Sequence, residues 1–208
     1  MSALRSLDQL LAARDVWRGR PAASQAPSGR TTGIASLDAV LPNSGWPPAS
    51  LIELLLPADG VGELTLLWPI LNQLTTAGES IALVAPPYIP YAPAWYLAGI
   101  LLDRLMIVRA EARDALWAAE QCLRSGACAA VLCWPHHAND RALRRLQVAA
   151  ETGHCLGFAF RSIAVAENPS PAALRIAFDA TSRQIRVIKC RGTMPPSRAI
   201  VLPPFLVH

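Results

Sequence analysis

The hydrophobic positions of this chain switch between two periods. Leu51–Leu56 (LIELLL) is an apolar run broken only by Glu53, and its length predicts a strand covered on both faces. Beyond a turn with Gly60 and Gly62, Leu64, Leu67, Leu71 and Leu74 recur at helical spacing until Gly78. Pro69 lies inside that stretch and is expected to kink it. Ile81–Ala85, Leu105–Arg109, Ala129–Trp134 and Leu156–Arg161 predict four more strands. Helical patterns near Ala92–Leu101, Ala112–Ser125 and Arg141–Thr152 separate them. Strands alternating with helices predict an α/β fold with a parallel, doubly wound sheet. Leu174–Phe178 and Gln184–Cys190 flank Asp179–Arg183 and read as a C-terminal β-hairpin extending the sheet antiparallel. The proline-rich tail from Met194 is expected to be irregular. At the other end, Leu4, Leu7 and Leu11 predict a short amphipathic helix over Ser2–Val16, and the Pro/Gly/Ser/Ala wording of Arg18–Arg30 predicts a linker. The expected organisation is a helical arm over 1–17, a linker over 18–31 and one domain over 32–208.

Composition narrows this picture. A chain of 208 residues suits one domain with a sizeable core. With 52% hydrophobic and 16% charged residues it is expected to be globular, with a surface suited to other proteins. The net charge is +4, carried by arginine apart from Lys189. Five cysteines (Cys122, Cys128, Cys133, Cys155, Cys190) form no C-x-x-C pair. They read as reduced, buried thiols of a cytoplasmic protein. No signal peptide is expected, because Arg5 and Asp8 interrupt the first apolar residues. The longest apolar stretch, near Trp95–Leu102, stops at Asp103-Arg104, so no membrane span is expected. His136, His137, His154, Cys155 and Cys133 do not match zinc spacings, and Pro135–Asp140 reads as a turn and helix cap.

Strand, glycine turn and helix together form the frame in which backbone N–H groups hold a phosphate. In the register G-x-x-x-x-G-K-[ST], Gly62 is the second glycine. Pro57 then takes the first, Glu63 the lysine and Leu64 the hydroxyl position. At about 4 Å and an effective dielectric of ~20, a lysine attracts a phosphate charge by ~4 kcal/mol, and a carboxylate repels it by a similar amount. Leu64 cannot ligate magnesium. The frame is kept and its chemistry is absent.

The segment Thr32–Leu54 resembles the opening of the RecA recombinase core, through Thr32, Gly33, Ser36, Leu37, Asp38, Leu41, Gly45, Pro47 and Glu53. The resemblance continues through Ile81–Pro135, where Arg124–Ala127 (RSGA) precedes an apolar strand. It implies a RecA-like P-loop NTPase fold: a mostly parallel central sheet with flanking helices. It also implies two further acidic positions for hydrolysis, which fall on Trp134 and near Pro87. Neither side chain can hold a metal or orient water. Three losses together lead to the expectation of no enzyme activity and no cofactor. Trp134 and Leu56 are expected to fill the vacated cleft.

The Ala/Pro/Trp-rich wording around GWP, ELLLP, PPYIPYAPA and LRRLQ is similar to the ImuA family, RecA-like accessory proteins of SOS-induced translesion synthesis. That resemblance implies mutagenesis by protein–protein contact. Its partners would be an ImuB-like Y-family polymerase relative, indirectly an error-prone DNA polymerase III alpha-type subunit, RecA, and a second copy of the chain. The alternative is a SulA-like inhibitor of the tubulin-like division protein. Candidate partner-binding residues are Leu4, Leu7 and Leu11 on the arm, and Arg141, Arg144 and Arg145 on one helix face. Few residues separate Trp134 from that helix, so the first DNA-binding loop of RecA looks cut away. Direct DNA contact stays open, with Arg183, Arg186, Lys189, Arg191 and Arg198 as a second basic set. Tyr88, Tyr91, Trp95 and Tyr96 suit packing or a protein interface better than base stacking.

Overall fold

The computed structural model describes residues 29–135, 137–179 and 181–202. Leu4, Leu7 and Leu11 therefore lie outside the described residues, as does most of the expected linker. Arg30, counted with that linker, already pairs with Trp46 in an isolated antiparallel bridge.

The strands are β1 (Leu51–Leu56), β2 (Ile81–Val84), β3 (Leu105–Val108), β4 (Ala130–Cys133), β5 (Leu156–Ser162), β6 (Leu174–Asp179), β7 (Gln184–Cys190) and β8 (Ile200–Val201). Helix α1 (Ala35–Asp38) precedes β1, and α2 (Trp68–Thr76), α3 (Ala92–Leu97), α4 (Ala112–Arg124) and α5 (Asp140–Thr152) connect the strands from β1 to β5. All eight strands form one sheet in the order β3-β2-β4-β5-β1-β6-β7-β8. Every pairing from β3 through to β6 is parallel, so the expected α/β class and mostly parallel sheet are found. The C-terminal pairings β6–β7 and β7–β8 are antiparallel.

Two local expectations, the Pro69 kink and the irregular tail, need correction. Pro69 sits in the first turn of α2, where its missing N–H has no partner to lose, so it starts the helix instead of kinking it. The turn before it, Glu63–Leu66, is a separate 3-10 segment. The expected C-terminal hairpin is found: β6 and β7 pair antiparallel, and β6 joins the sheet beside β1. The tail is not wholly irregular: Ile185 and Ile200 pair, and Ile200 is buried there.

The opening motif has a mechanical explanation. Asp38 accepts the Thr32 N–H at 2.8 Å and the Thr31 hydroxyl at 2.5 Å, while the Thr31 hydroxyl accepts the Gly33 N–H at 3.0 Å. Gly33 has φ 78°, and a Cβ there would meet the Pro69 ring at 2.4 Å. Only glycine allows that close approach. The T-G…S-L-D pattern thus docks α1 onto the start of α2.

Alternation along β1 divides the core. Ile52, Leu54 and Leu56 face a cluster with Leu67, Ile70, Leu71 and Leu74 around α2. The opposite face carries small strand residues, Ala82, Val131, Cys133 and Ala159, packed with Leu123 of α4 and Leu143 and Leu146 of α5. Glu53 lies on the same side of β1 as Leu51, which belongs to that second cluster. It is fully buried. Its Oε1 accepts Arg161 Nη1 at 2.7 Å and its Oε2 accepts Arg175 Nε at 2.6 Å. Both guanidiniums are buried. Arg161 also donates to the Ala138 carbonyl at 2.7 Å, and Arg175 to the carbonyls of Val165, Ala166 and Asn168 at 2.9 to 3.0 Å. One carboxylate therefore ties β5, β1 and β6 together and fixes two connections past the strand ends.

Removing one member of such a group leaves an uncompensated buried charge, at about 3–5 kcal/mol. Glu53→Ala should lower the urea unfolding free energy by about that much. A triple replacement of Glu53, Arg161 and Arg175 by well-packed apolar residues should recover most of it. In that triple variant, amide exchange should quicken around Ala138 and Val165–Asn168, the segments the guanidiniums hold. Unchanged urea stability in Glu53→Ala would refute the account.

Candidate binding site at the carboxyl edge of the sheet

The parallel strands deliver three connections to one edge: Pro57–Gly62 after β1, Ala85–Tyr91 after β2, and Trp134–Asn139 after β4. Ligands in open α/β sheets bind at this edge. Gly60 and Gly62 both have positive φ, 78° and 88°, which lets the turn curl before the 3-10 segment. Glu63 follows at once and is 4% exposed. Its Oε1 accepts the Gly60 N–H at 3.2 Å. A backbone donor of the kind that would hold a phosphate is thus taken by the loop's own carboxyl group. Glu63 Oε2 is buried and has no hydrogen-bond partner among the described residues. Leu64 packs against the core, and Pro57 is exposed.

Trp134, immediately after β4, is a buried side chain stacked on Phe160 of β5, with ring centroids 4.7 Å apart and planes 14° apart. Its Nε1 donor also lacks a partner among the described residues. Trp134 and Pro87, the two positions that resemblance assigned to lost acids, line two adjoining hollows. The larger, about 500 Å³, lies between the Pro86–Pro90 loop and α4 and includes Ile107, Arg109 and His137. The smaller, about 200 Å³, lies between that loop and the Gly60–Leu64 turn. Leu56 lines neither hollow; it is buried within the α2-side core.

The aromatic group divides. Trp95 is buried and meets Trp68 edge-on at 4.9 Å. Tyr88 and Tyr91 are 65% and 71% exposed. Exposed apolar side chains continue onto Ile89, Tyr96, Leu97 and the edge strand β3, where Met106 and Ile107 are 44% and 47% exposed. Of the basic candidates, Arg141 is exposed. Arg144 is paired with Asp140 at 3.1 Å, and Arg145 with Glu120, which also accepts Arg124 at 2.7 Å. In the second set, Lys189 donates to the Ser170 carbonyl, and Arg191 reaches the Pro171 carbonyl and Glu151. Four of the eight basic candidates, Arg144, Arg145, Lys189 and Arg191, are thus engaged within the chain.

Asn139 caps α5 by accepting the Ala142 N–H at 2.9 Å, as the turn-and-cap reading expects. Among the described residues no cluster of three or more His, Cys, Asp or Glu side chains could hold a metal ion; His136 lies outside them. No described helix is long and apolar enough to cross a membrane. Sequence reading singled out Glu53 and missed its partners Arg161 and Arg175. The available signal was a single charge in each of two apolar strands, GFAFRS and LRIAF.

These elements define a doubly wound α/β domain that keeps the strand–turn–helix frame of a phosphate loop and places a carboxylate inside it. No protein-family model matches the chain, and no curated protein matches it. Among solved structures, it is similar to the crystal structure of SulA from Pseudomonas aeruginosa. The identity is 28% over 56% of this chain and 99% of that one, with a TM-score of 0.46.

Burial also sets the thiol chemistry. It pushes the Cys133 thiol up to about 12 and that of Cys155 higher still, and raises Cys122, Cys128 and Cys190 above the ordinary thiol value. A raised thiol pKa keeps the group neutral at pH 8, and the thiolate is the reactive form. Cys122 and Cys190 are half-buried; the other three are buried. Titration with a disulfide reagent at pH 8 should therefore label Cys122 and Cys190 slowly in the native protein. Cys128, Cys133 and Cys155 should be labelled only with denaturant. Rapid native labelling of Cys133 would contradict this.

Proposed function

We propose that this chain is a non-catalytic RecA-like accessory protein of SOS-induced translesion DNA synthesis that works by protein–protein contact. The observation that carries the reading is the Glu63 carboxyl group folded onto the Gly60 N–H, inside the turn where a nucleotide phosphate would need that donor. A triphosphate entering there would displace an internal hydrogen bond and meet a buried carboxylate. The exposed apolar side chains around the same edge of the sheet support a binding role. The similarity to the ImuA family supplies the partners. They are an ImuB-like Y-family polymerase relative, RecA and a second copy, with an error-prone polymerase III alpha-type subunit recruited through the polymerase relative.

Mechanistically, the domain offers the outline of a RecA subunit without turnover, so that assembly depends on contact alone. Direct DNA binding plays little part in this reading, since Arg144, Arg145 and Arg191 are already paired with carboxylates.

Two measurements test the reading. Mg-ATP should leave the melting temperature unchanged, because nothing that fails to bind the native state stabilises it; a nucleotide-dependent rise would restore the ATPase interpretation. Pull-down should recover the ImuB-like relative or RecA, and recovery of neither would defeat the proposal. If overexpression instead filaments cells and the division protein is captured, the SulA-like inhibitor reading replaces it.

A further inference from the structure

The smaller hollow has a composition unlike that of a phosphate site. Its walls include Trp68, Tyr88, Tyr91, Trp95 and Trp134, with Glu63 at the turn side. No lysine, arginine or histidine lines it. Aromatic walls around one carboxylate are the surroundings that stabilise an organic cation, which is drawn to the negative ring faces.

Glu63 adds the second, independent observation. Its side chain is 4% exposed, one oxygen is satisfied by Gly60, and the other is buried with no partner among the described residues. A buried acceptor left unmet is destabilising, and more so when it is charged. Glu63 itself lines the hollow, so a donor seated there lies beside this carboxyl group. Access is available, because Tyr88 and Tyr91 line the hollow and are themselves largely exposed. The volume, about 200 Å³, suits one side chain and not a nucleotide.

We propose that this hollow receives the guanidinium of an arginine from a partner protein, with Glu63 accepting its N–H groups and the tryptophan and tyrosine rings packing on its faces. Arginine fits better than lysine here. Its planar head stacks on aromatic rings, gives up hydration more readily, and still presents donors at its edge. The charge preference of the turn is thereby inverted: a frame suited to anions has become a receptor for a cation. Nothing in this argument depends on which protein supplies the arginine, so it stands or falls apart from the translesion reading.

The probe is N-acetyl-L-arginine methylamide, with the citrulline analogue, uncharged but of nearly the same shape, as control. Both are titrated at constant ionic strength into the full chain carrying ¹⁵N-labelled tryptophan. The Trp134 indole resonance, assigned by its loss in Trp134→Phe, is the reporter. The arginine probe should move it saturably, with at least tenfold tighter binding than citrulline. Glu63→Gln, which keeps the Gly60 hydrogen bond within reach, should lose at least tenfold while melting within a few degrees of the parent. Equal responses to the two probes, or no response to either, would overturn the proposal; so would undiminished binding in a folded Glu63→Gln. Should that variant not fold, the arginine–citrulline contrast on the parent chain decides alone.

Discussion

The buried group of Glu53, Arg161 and Arg175 is the constraint from which the working edge of this molecule follows. Two positive heads and one negative one lie among apolar strands, so the group is tolerable only where nearly every donor finds an acceptor. Main-chain carbonyls supply most of those acceptors, Ala138 to Arg161 and Val165, Ala166 and Asn168 to Arg175. Electrostatic need therefore dictates where the chain runs after β4 and β5. Trp134 begins the first of these runs, and its stack on Phe160 is held in the same neighbourhood.

A second acid, Glu63, meets a different fate a short distance along the chain. Glu53 is saturated and shapes the scaffold. Glu63 is buried with one oxygen satisfied and the other not. In the first arrangement both carboxylate oxygens are engaged and only Arg161 Nε lacks a partner among the described residues, whereas the second leaves a carboxyl oxygen unmet. That contrast between two buried carboxylates separates architecture from recognition more clearly than the spacing of any motif.

The strands were legible in the sequence because unbroken apolar runs bounded by turn residues leave little alternative, and all seven runs begin and end within one residue of the observed strands. The loss of the phosphate-loop lysine was legible as well. What stayed hidden depends on register. Arg161 and Arg175 lie 108 and 122 residues from Glu53, and only the parallel alignment of β5, β1 and β6 brings them to one carboxylate. The return of Glu63 onto Gly60 depends on two left-handed glycine conformations that composition does not specify. Pro69 was misread because hydrophobic spacing alone cannot distinguish one long helix from a 3-10 turn followed by a helix start.

The outer strand of the sheet carries one more consequence. β3 pairs only with β2, and its other border has no strand beside it among the described residues. Such a border invites copies of the same molecule to stack onto it. Arg104 and Arg109 stand immediately before and after the strand. If two copies met head-to-tail in register, Arg104 of each would face Arg109 of the other, and side-by-side alignment would set each arginine against its twin. Like charges placed opposite one another oppose pairing. These charges oppose edge-to-edge pairing of two copies along this border, with Arg104 partly offset by its own Asp103 at 3.9 Å, and added salt, by screening them, would weaken that opposition.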